Sequence, residues 1–267
     1  MSTQRPAGGP IANRIDHVVI EAADEQQLFS FFTDVLGLAV AWPVAQWGFI
    51  SEGGVSVGNA NLGCNRTLDP NSDPTPQARA IAFEPAAPLP AIVDELHARG
   101  LAPTEPMASG PLDLPGDGPF APWQRGWTNV MVLGGPLSPL PFVCAYDHDV
   151  AERARAERAR FDAGGGGPLG IVELRAVVVH ADDVESTAAE WDSLLGPGSI
   201  VRPGVLALST GPELRVEAGD AAPALVFGVA SVGRALTAAR GLGIARAAGE
   251  HVRLEPADVL GLDLRLE

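Results

Sequence analysis

The chain has 267 residues, which is enough for one large domain or two of ordinary size. Hydrophobic residues make up 46% and charged residues 19%, so a sizeable core can form and full disorder is excluded. All 18 basic residues are arginine, which excludes Schiff-base chemistry on a lysine. The formal net charge of −15 opposes binding to nucleic acid or to an anionic membrane surface. We therefore expect a cytoplasmic protein without nucleic-acid or membrane partners.

The first predicted elements follow a flexible N-terminal stretch, residues 1–13. A strand is predicted over residues 14–20, which are rich in β-branched side chains. Asp24 is placed to cap a helix whose apolar residues share one face and which ends at Gly37. Three short strands separated by glycine turns are predicted over residues 38–42, 47–52 and 55–62. The first unit is therefore strand, helix and three strands.

This order recurs three more times along the chain. The second copy has a strand over residues 78–83 and a helix over 89–99, and the third and fourth copies begin near residues 172 and 224. A repeated unit is strong evidence about organisation, because each copy predicts the same local fold. The repeats predict two domains, residues 14–150 (units 14–66 and 78–150) and residues 169–267 (units 170–220 and 223–267).

Residues 151–168, between the two predicted domains, are rich in Glu and Arg and include four consecutive glycines. Arg153 and Arg160 can each pair with Glu157 along one helix face. This pattern predicts a solvated linker helix followed by a flexible glycine hinge.

Several short motifs resemble the vicinal oxygen chelate superfamily, which includes glyoxalase I, bleomycin-resistance proteins and extradiol dioxygenases. The motif IDHVVI at residues 15–20 resembles the family's opening strand with its histidine. The motif FFTDVLGL at residues 31–38 resembles the end of the helix that follows that strand. WTN at residues 127–129 and LPFVCAYD at residues 140–147 are similar to the second half of the glyoxalase-like branch.

The resemblance implies an α+β fold in which paired βαβββ modules form curved-sheet cups, with two glyoxalase-like domains in tandem. In such proteins the cup holds either a divalent metal or an organic ligand. A metal there would polarise adjacent oxygens of the substrate, and it needs two or three histidine or carboxylate side chains in one cup.

The resemblance implies four metal-ligand positions in the first domain, and only one of them carries a suitable side chain. His17 stands at the first position, on the strand face that period-two alternation assigns to residues 15, 17 and 19. Glycine or alanine stands at the other three, which are Gly63, Ala80 and Ala145. Known catalytic sites use about three protein ligands. The resemblance thus implies a degenerate metal site, and we expect no cofactor.

A divalent metal at a shifted site is the alternative. Glu52 and Asp147 are acidic residues of the same predicted domain, and Asp147 lies two residues beyond Ala145 on the same expected strand face, roughly 7 Å along the strand. His17, Glu52 and Asp147 would then supply three metal ligands. Without a metal, His17 is expected to hydrogen-bond a ligand or a backbone group.

Aromatic and amide side chains indicate a ligand cavity in the first domain. Four of the five tryptophans fall there, among them Trp47 and Trp127. Trp127 shares a strand face with Asn129, and Asn59 and Asn61 lie on the expected inner face of another strand. An indole beside amide groups suits a planar, partly polar ligand.

The second domain carries weaker signals. Ala176 stands where the opening histidine would be, and the last strand of each unit alternates charged with apolar residues. Such alternation is typical of a half-solvated strand. We expect a structural or interface domain that performs no chemistry.

Three functions remain open from the sequence. The first is a protein of the glyoxalase and bleomycin-resistance type that binds a small organic molecule in the first cup, with the Pro- and Gly-rich loop of residues 103–122 as a lid. The second is a metal-dependent lyase, isomerase or dioxygenase that uses the shifted site around His17. The third is a non-catalytic interaction protein. A small-molecule partner is expected, and the sequence leaves a monomer and a homodimer open.

Overall fold

The computed structural model describes residues 8–47, 50–66, 75–109, 126–133, 135–147, 149–245, 252–254 and 256–267. Within these ranges the chain forms two curved sheets and five α-helices. The first sheet contains β1 (Ala12–Ala22), β2 (Ala39–Trp47), β3 (Ile50–Ser56), β4 (Asn61–Arg66), β5 (Gln77–Pro85), β6 (Ala102–Pro103), β7 (Met107–Ser109), β8 (Trp127–Leu133) and β9 (Leu140–Tyr146).

The second sheet contains β10 (Ile171–Ala181), β11 (Ile200–Arg202), β12 (Val205–Leu206), β13 (Glu213–Ala218), β14 (Ala224–Val229), β15 (Val252–Arg253) and β16 (Asp263–Leu266). The helices are α1 (Glu25–Ser30), α2 (Leu89–Ala98), α3 (Val150–Gly164), α4 (Val184–Leu195) and α5 (Val232–Gly241). In the described part of the chain, none of the helices has both the length and the apolar character needed to cross a membrane.

The strand order confirms the predicted βαβββ modules. The first sheet has the order β2-β3-β4-β1-β5-β9-β8-β6, with β7 also paired to β8. The opening strands of its two modules, β1 and β5, pair antiparallel, and the last strand of each module pairs parallel with its opening strand. The second sheet repeats this plan in the order β11-β12-β13-β10-β14-β16-β15. The expected α+β fold with paired modules and two curved sheets is confirmed.

Short-range signals determine where the first helix begins and ends. The Asp24 carboxylate accepts a hydrogen bond from the backbone N–H of Gln27 at 2.9 Å, as expected for an N-cap. The helix continues past α1 as a wider turn over Phe31–Val35. Gly37 then adopts a φ of +66°, which glycine reaches without a steric cost.

One hydrophobic core joins the two sheets. It includes buried apolar residues from α1, α2, α4 and α5 and from both sheets. Trp191 of α4 is completely buried, and its ring centroid lies 6.2 Å from that of Phe83 of β5. The backbone N–H of Ile11 donates to the carbonyl of Leu195 at 3.0 Å. The helix-covered faces therefore form the core, and the opposite face of each sheet forms a cup.

Residues 151–168 differ from the predicted solvated helix and flexible hinge. Arg153 and Glu157 of α3 are only 2% and 6% exposed. A Cβ atom at Gly167 would lie 1.9 Å from the carbonyl oxygen of Leu36, so this glycine lets the turn pack closely on the end of the first helix. The prediction was wrong because α3 packs on one end of the first cup, which buries charges that helical spacing alone would leave in water.

Candidate functional site

A cavity of about 370 Å³ lies in the first cup. Its walls are mostly apolar and include the side chains of Trp42, Trp127, Met131 and Phe142. Polar side chains also line it, among them His17, Glu52, Asn65 and Asn129. Apolar walls with a few directed polar groups are typical of sites that bind small organic molecules.

A β-bulge in β1 brings two consecutive side chains, Asp16 and His17, into contact. Ile15 pairs with Phe83 of β5 and His17 pairs with the adjacent Ala82, so Asp16 is an extra residue on β1. The bulge interrupts alternation, and Oδ2 of Asp16 lies 2.8 Å from Nδ1 of His17. The expectation that residues 15, 17 and 19 share a face is therefore wrong for Ile15, which is buried in the core, whereas His17 and Val19 line the cavity.

The carboxylate of Asp16 is buried and accepts four hydrogen bonds. Besides the bond from His17, Tyr146 donates through its hydroxyl at 2.5 Å, Arg153 at 2.6 Å and Arg14 at 3.4 Å. Burial by itself would raise the pKa of Asp16, but Arg153 and the hydrogen bond from His17 hold it well below its usual range. Asp16 is therefore ionised. An acceptor at this distance makes Nδ1 of His17 the nitrogen that carries the proton and leaves Nε2 for a ligand.

Helix α3 supplies the positive charge that Asp16 needs. The Arg153 guanidinium carbon lies 3.7 Å from the centroid of the Tyr146 ring, and Nε of Arg153 lies 3.8 Å from Oε1 of Glu157. The other carboxylate oxygen of Glu157 accepts a hydrogen bond from Asn61 at 3.1 Å. This polar network closes the end of the cup next to His17 and holds Asp16 in place.

Glu52 of β3 is a buried ionisable group in the cavity wall. It is 8% exposed, and in the described part of the chain it makes no ion pair with arginine. Burial raises the pKa of Glu52 to about 7, although His17 and a hydrogen bond from Asn65 lower it. A Cβ atom at Gly63 would lie 2.8 Å from Oε1 of Glu52, so glycine at that position makes room for the carboxyl group.

Two amide oxygens in the cavity wall have no donor among the described residues. Asn65 Oδ1 and Asn129 Oδ1 are buried, and they accept no hydrogen bond from any described residue. Buried polar atoms in native structures nearly always have a partner. Both oxygens therefore suit a ligand that carries hydroxyl or N–H groups.

The residues of β9 that face the cup are shifted by one position from the expected ones. Its side chains that line the cavity are Leu140, Phe142, Cys144 and Tyr146. Ala145 and Asp147 have the opposite parity, and Asp147 is exposed. The expectation that Asp147 reaches the cup through the face of Ala145 is therefore contradicted.

Asn59 and Asn61 have partners other than the cavity. Asn59 donates to the carbonyl of Leu174 at 3.0 Å and accepts from its N–H at 2.8 Å, which links the first cup to β10. Asn61 lies beside His17 in the register of β1 and β4, but it donates to Glu157 of α3. Farther along the same face of β4, Asn65 is the residue that lines the cavity.

The remaining predicted ligand residues are placed as follows. Trp127 and Asn129 of β8 both line the cavity. Trp47 is the last residue of β2, and its side chain lies outside the described residues. Most of the predicted lid, residues 103–122, also lies outside them, so the lid stays a prediction.

The side chains brought together here do not fit a divalent metal. His17 and Glu52 line the cavity, but Asp147 does not join them. Within the described ranges, no group of three His, Cys, Asp or Glu side chains is arranged to hold an ion. Two ligands are fewer than the three that catalytic metal sites usually take from the protein.

Sequence analysis missed several residues of the site, among them Asn65, Tyr146 and Asp16. Continuing the period-two pattern from Asn61 would have reached Asn65. Tyr146 is the only tyrosine of the chain, but nothing in the sequence connects it with Asp16. Strict alternation would place Asp16 on the face opposite His17, because a bulge cannot be read from alternation alone.

No protein-family model matches the chain, and no curated protein is similar to it. Three solved structures illustrate the similarity found by fold. A hypothetical protein from Staphylococcus aureus has a TM-score of 0.63 and 12% identity, covering 95% of this chain and 98% of that chain. The 2,3-dioxygenase LapB from Pseudomonas sp. KL28 has a TM-score of 0.62 and 11% identity, covering 97% and 93%. An extradiol ring-cleaving dioxygenase from B. fuscum has a TM-score of 0.60 and 16% identity, covering 98% and 73%. Such low identities show a shared fold alone.

Proposed function

Because this chain has the fold of the vicinal oxygen chelate superfamily, we propose that it binds a small, planar organic molecule in the cavity of the first cup. The observation that supports this function is the cavity itself, with aromatic walls and a few polar groups. A volume of about 370 Å³ falls in the range of small-molecule sites, which begins at about 300 Å³.

The lining residues favour a particular kind of ligand. The indoles of Trp42 and Trp127 and the ring of Phe142 offer flat apolar surface to a conjugated or aromatic ring. The oxygens of Asn65 and Asn129 require donors, which hydroxyl or N–H substituents supply. A planar ring with such substituents and a group that reaches His17 satisfies all of these contacts.

A metal-dependent dioxygenase is the second candidate, and it draws support only from the fold of its structural neighbours. Its chemistry requires a set of metal ligands in the cup. His17 and Glu52 provide two donors and no third described residue joins them, so the binding function is the better supported of the two.

Filling the cavity tests the proposal. Ala80 of β5 lines the cavity and is 9% exposed, so a phenyl ring in the variant Ala80→Phe would occupy the space meant for a ligand. We expect ¹⁹F NMR of the wild-type protein with a library of planar fluoroaromatic phenols and ketones to identify binders, and their binding to be lost in Ala80→Phe. Ala91→Phe, on the exposed side of α2, is the matched control and should bind them as the wild type does. Equal binding by all three proteins would contradict a site in the first cup.

A further inference from the structure

We propose that the cavity is a proton-transfer site that acts on planar, conjugated carbonyl compounds, with His17 as base, Glu52 as acid and Asp16 as the residue that positions His17. This inference rests on the proposed binding function and adds a reaction to it. His17 and Glu52 line the cavity, Asp16 contacts His17 from behind the wall, and the reaction requires no metal.

The base is defined by geometry. Asp16 accepts the hydrogen bond from Nδ1 of His17 at 2.8 Å, so the lone pair of the neutral ring is on Nε2. The ring lies edge-on to Trp42 and Phe142, with centroid distances of 5.9 and 5.5 Å, which fixes its orientation in the apolar wall. An imidazole held in one tautomer by an ionised, buried carboxylate is suited to accept a proton from a ligand.

Glu52 is suited to the complementary role. Its carboxyl group lies in the same cavity, and without an arginine partner among the described residues it is not held in the ionised form. Burial raises the pKa of Glu52 to about 7, so a protonated fraction is available to donate to an oxygen. Two ionisable groups whose surroundings differ in this way divide naturally into a base and an acid.

The reaction balances without a co-reactant. Nε2 of His17 takes a proton from the carbon next to the carbonyl, and the C–H electron pair forms a carbon–carbon double bond. The carbonyl π electrons move onto oxygen, which takes the proton of Glu52 and gives an enol. Return of the His17 proton to the same or a conjugated carbon, and of the oxygen-bound proton to Glu52, yields an exchanged or isomerised carbonyl compound.

A planar surrogate, 5-nitrobenzisoxazole, tests the base directly. Removal of its ring C–H proton by a base breaks the N–O bond and gives a coloured cyanophenolate, so turnover is read by absorbance and binding by quenching of tryptophan fluorescence. We expect His17→Gln to lose about a hundredfold in turnover, in line with general-base contributions, and Glu52→Gln to lose less, because the nitrophenolate product needs little stabilisation by an acid. His97→Gln, an exposed histidine on α2, is the matched control and should leave turnover unchanged, as should a chelator.

The nitrogen of His17 that carries the proton gives an independent test of the positioning role of Asp16. ¹⁵N spectra of the wild-type protein should show His17 protonated on Nδ1, and Asp16→Asn should abolish that preference. If Asp16→Asn fails to fold, the wild-type spectrum decides alone, and protonation on Nε2 in the neutral ring would overturn the assignment.

The remaining outcomes separate the two proposals. Binding of 5-nitrobenzisoxazole without turnover overturns proton transfer and leaves the binding function intact. Turnover that survives both His17→Gln and Glu52→Gln, or that disappears with a chelator, also overturns it. Neither binding nor turnover in the wild-type protein would count against both proposals.

Discussion

The two cups repeat one backbone plan but carry different chemistry on their inner faces. His17 of β1 and Ala176 of β10 are equivalent, since each is paired in parallel with the first residue of the module's last strand, Asn61 or Glu213. Both also follow an irregular step in the antiparallel pairing with the next module's opening strand. The bulge therefore belongs to the repeated fold, and only the first cup places a histidine on it.

The neighbouring strands extend this contrast. Three inner residues of β9 are apolar, whereas the corresponding residues on β16 and directly after it are charged: Leu140, Phe142 and Cys144 correspond to Asp263, Arg265 and Glu267. On β4 the residues are small or neutral, whereas on β13 they are charged: Asn61, Gly63 and Asn65 correspond to Glu213, Arg215 and Glu217.

In the second cup these charges pair with one another, both along one strand and across strands. Arg215 lies 2.9 Å from Glu213 and 2.9 Å from Glu267, and Arg265 lies 2.8 Å from Glu217. The same side of the second sheet carries a small buried apolar cluster, and a cavity of about 320 Å³ beside the network is lined mostly by charged side chains, among them Glu213, Arg215 and Glu267. The comparison shows how one fold yields a ligand cavity or a polar surface, according to whether the inner residues satisfy one another.

The largest expected effect concerns the buried charge of the first cup. Arg153→Ala leaves Asp16 ionised and poorly compensated, and breaking a buried pair in this way costs about 3–5 kcal/mol. We expect chemical denaturation at neutral pH to show a loss of this size. Arg158→Ala, which removes a half-exposed arginine of the same helix, should change the free energy of unfolding by less than about 1 kcal/mol. Equal losses of unfolding free energy in the two variants would contradict the larger contribution that we assign to the buried arginine.

The second prediction concerns Glu52, a carboxyl group of the first cup that has no arginine partner among the described residues, unlike the carboxylates of the second cup. Its pKa in the folded protein, about 7, lies above its ordinary value of 4.5, so the folded state binds the proton more tightly than the unfolded state. The carboxyl group therefore costs nothing below about pH 4.5, and the penalty grows to about 3 kcal/mol above pH 7. Thermal unfolding should show Glu52→Gln more stable than the wild type at pH 8 and equal to it at pH 4. A difference that does not depend on pH would contradict the raised pKa of this buried carboxyl group.

The smallest effect is expected in the second cup. Arg265 is partly exposed and contacts both Glu217 and Asp263, so Arg265→Ala should cost about 1 kcal/mol. Because solvent reaches this network, raising the salt concentration should reduce the cost further. Denaturation of Arg265→Ala and wild type at low and high salt checks this. If Arg265→Ala lowered the free energy of unfolding as much as Arg153→Ala does, the ion pairs of the two cups would not differ in energy as we expect.

Much of the fold could be predicted from the sequence, and the site only in part. The four modules follow from caps, glycine turns and apolar spacing, which act within a few residues and leave visible patterns. His17, Glu52, Trp127 and Asn129 were identified as candidates and line the cavity. Asp147 was a misplaced candidate, because an error of one residue in strand parity moves a side chain to the opposite face.

The sequence by itself determined the α+β class and the repeated βαβββ modules, since both depend on residue identity and local periodicity. The tertiary structure alone decided that β1 is bulged, that α3 carries Arg153 to Asp16, and that Glu52 and Asn65 share a cavity with His17. These contacts join residues up to 137 positions apart, and their energies depend on burial. Packing of distant segments sets that burial, and local sequence does not encode it.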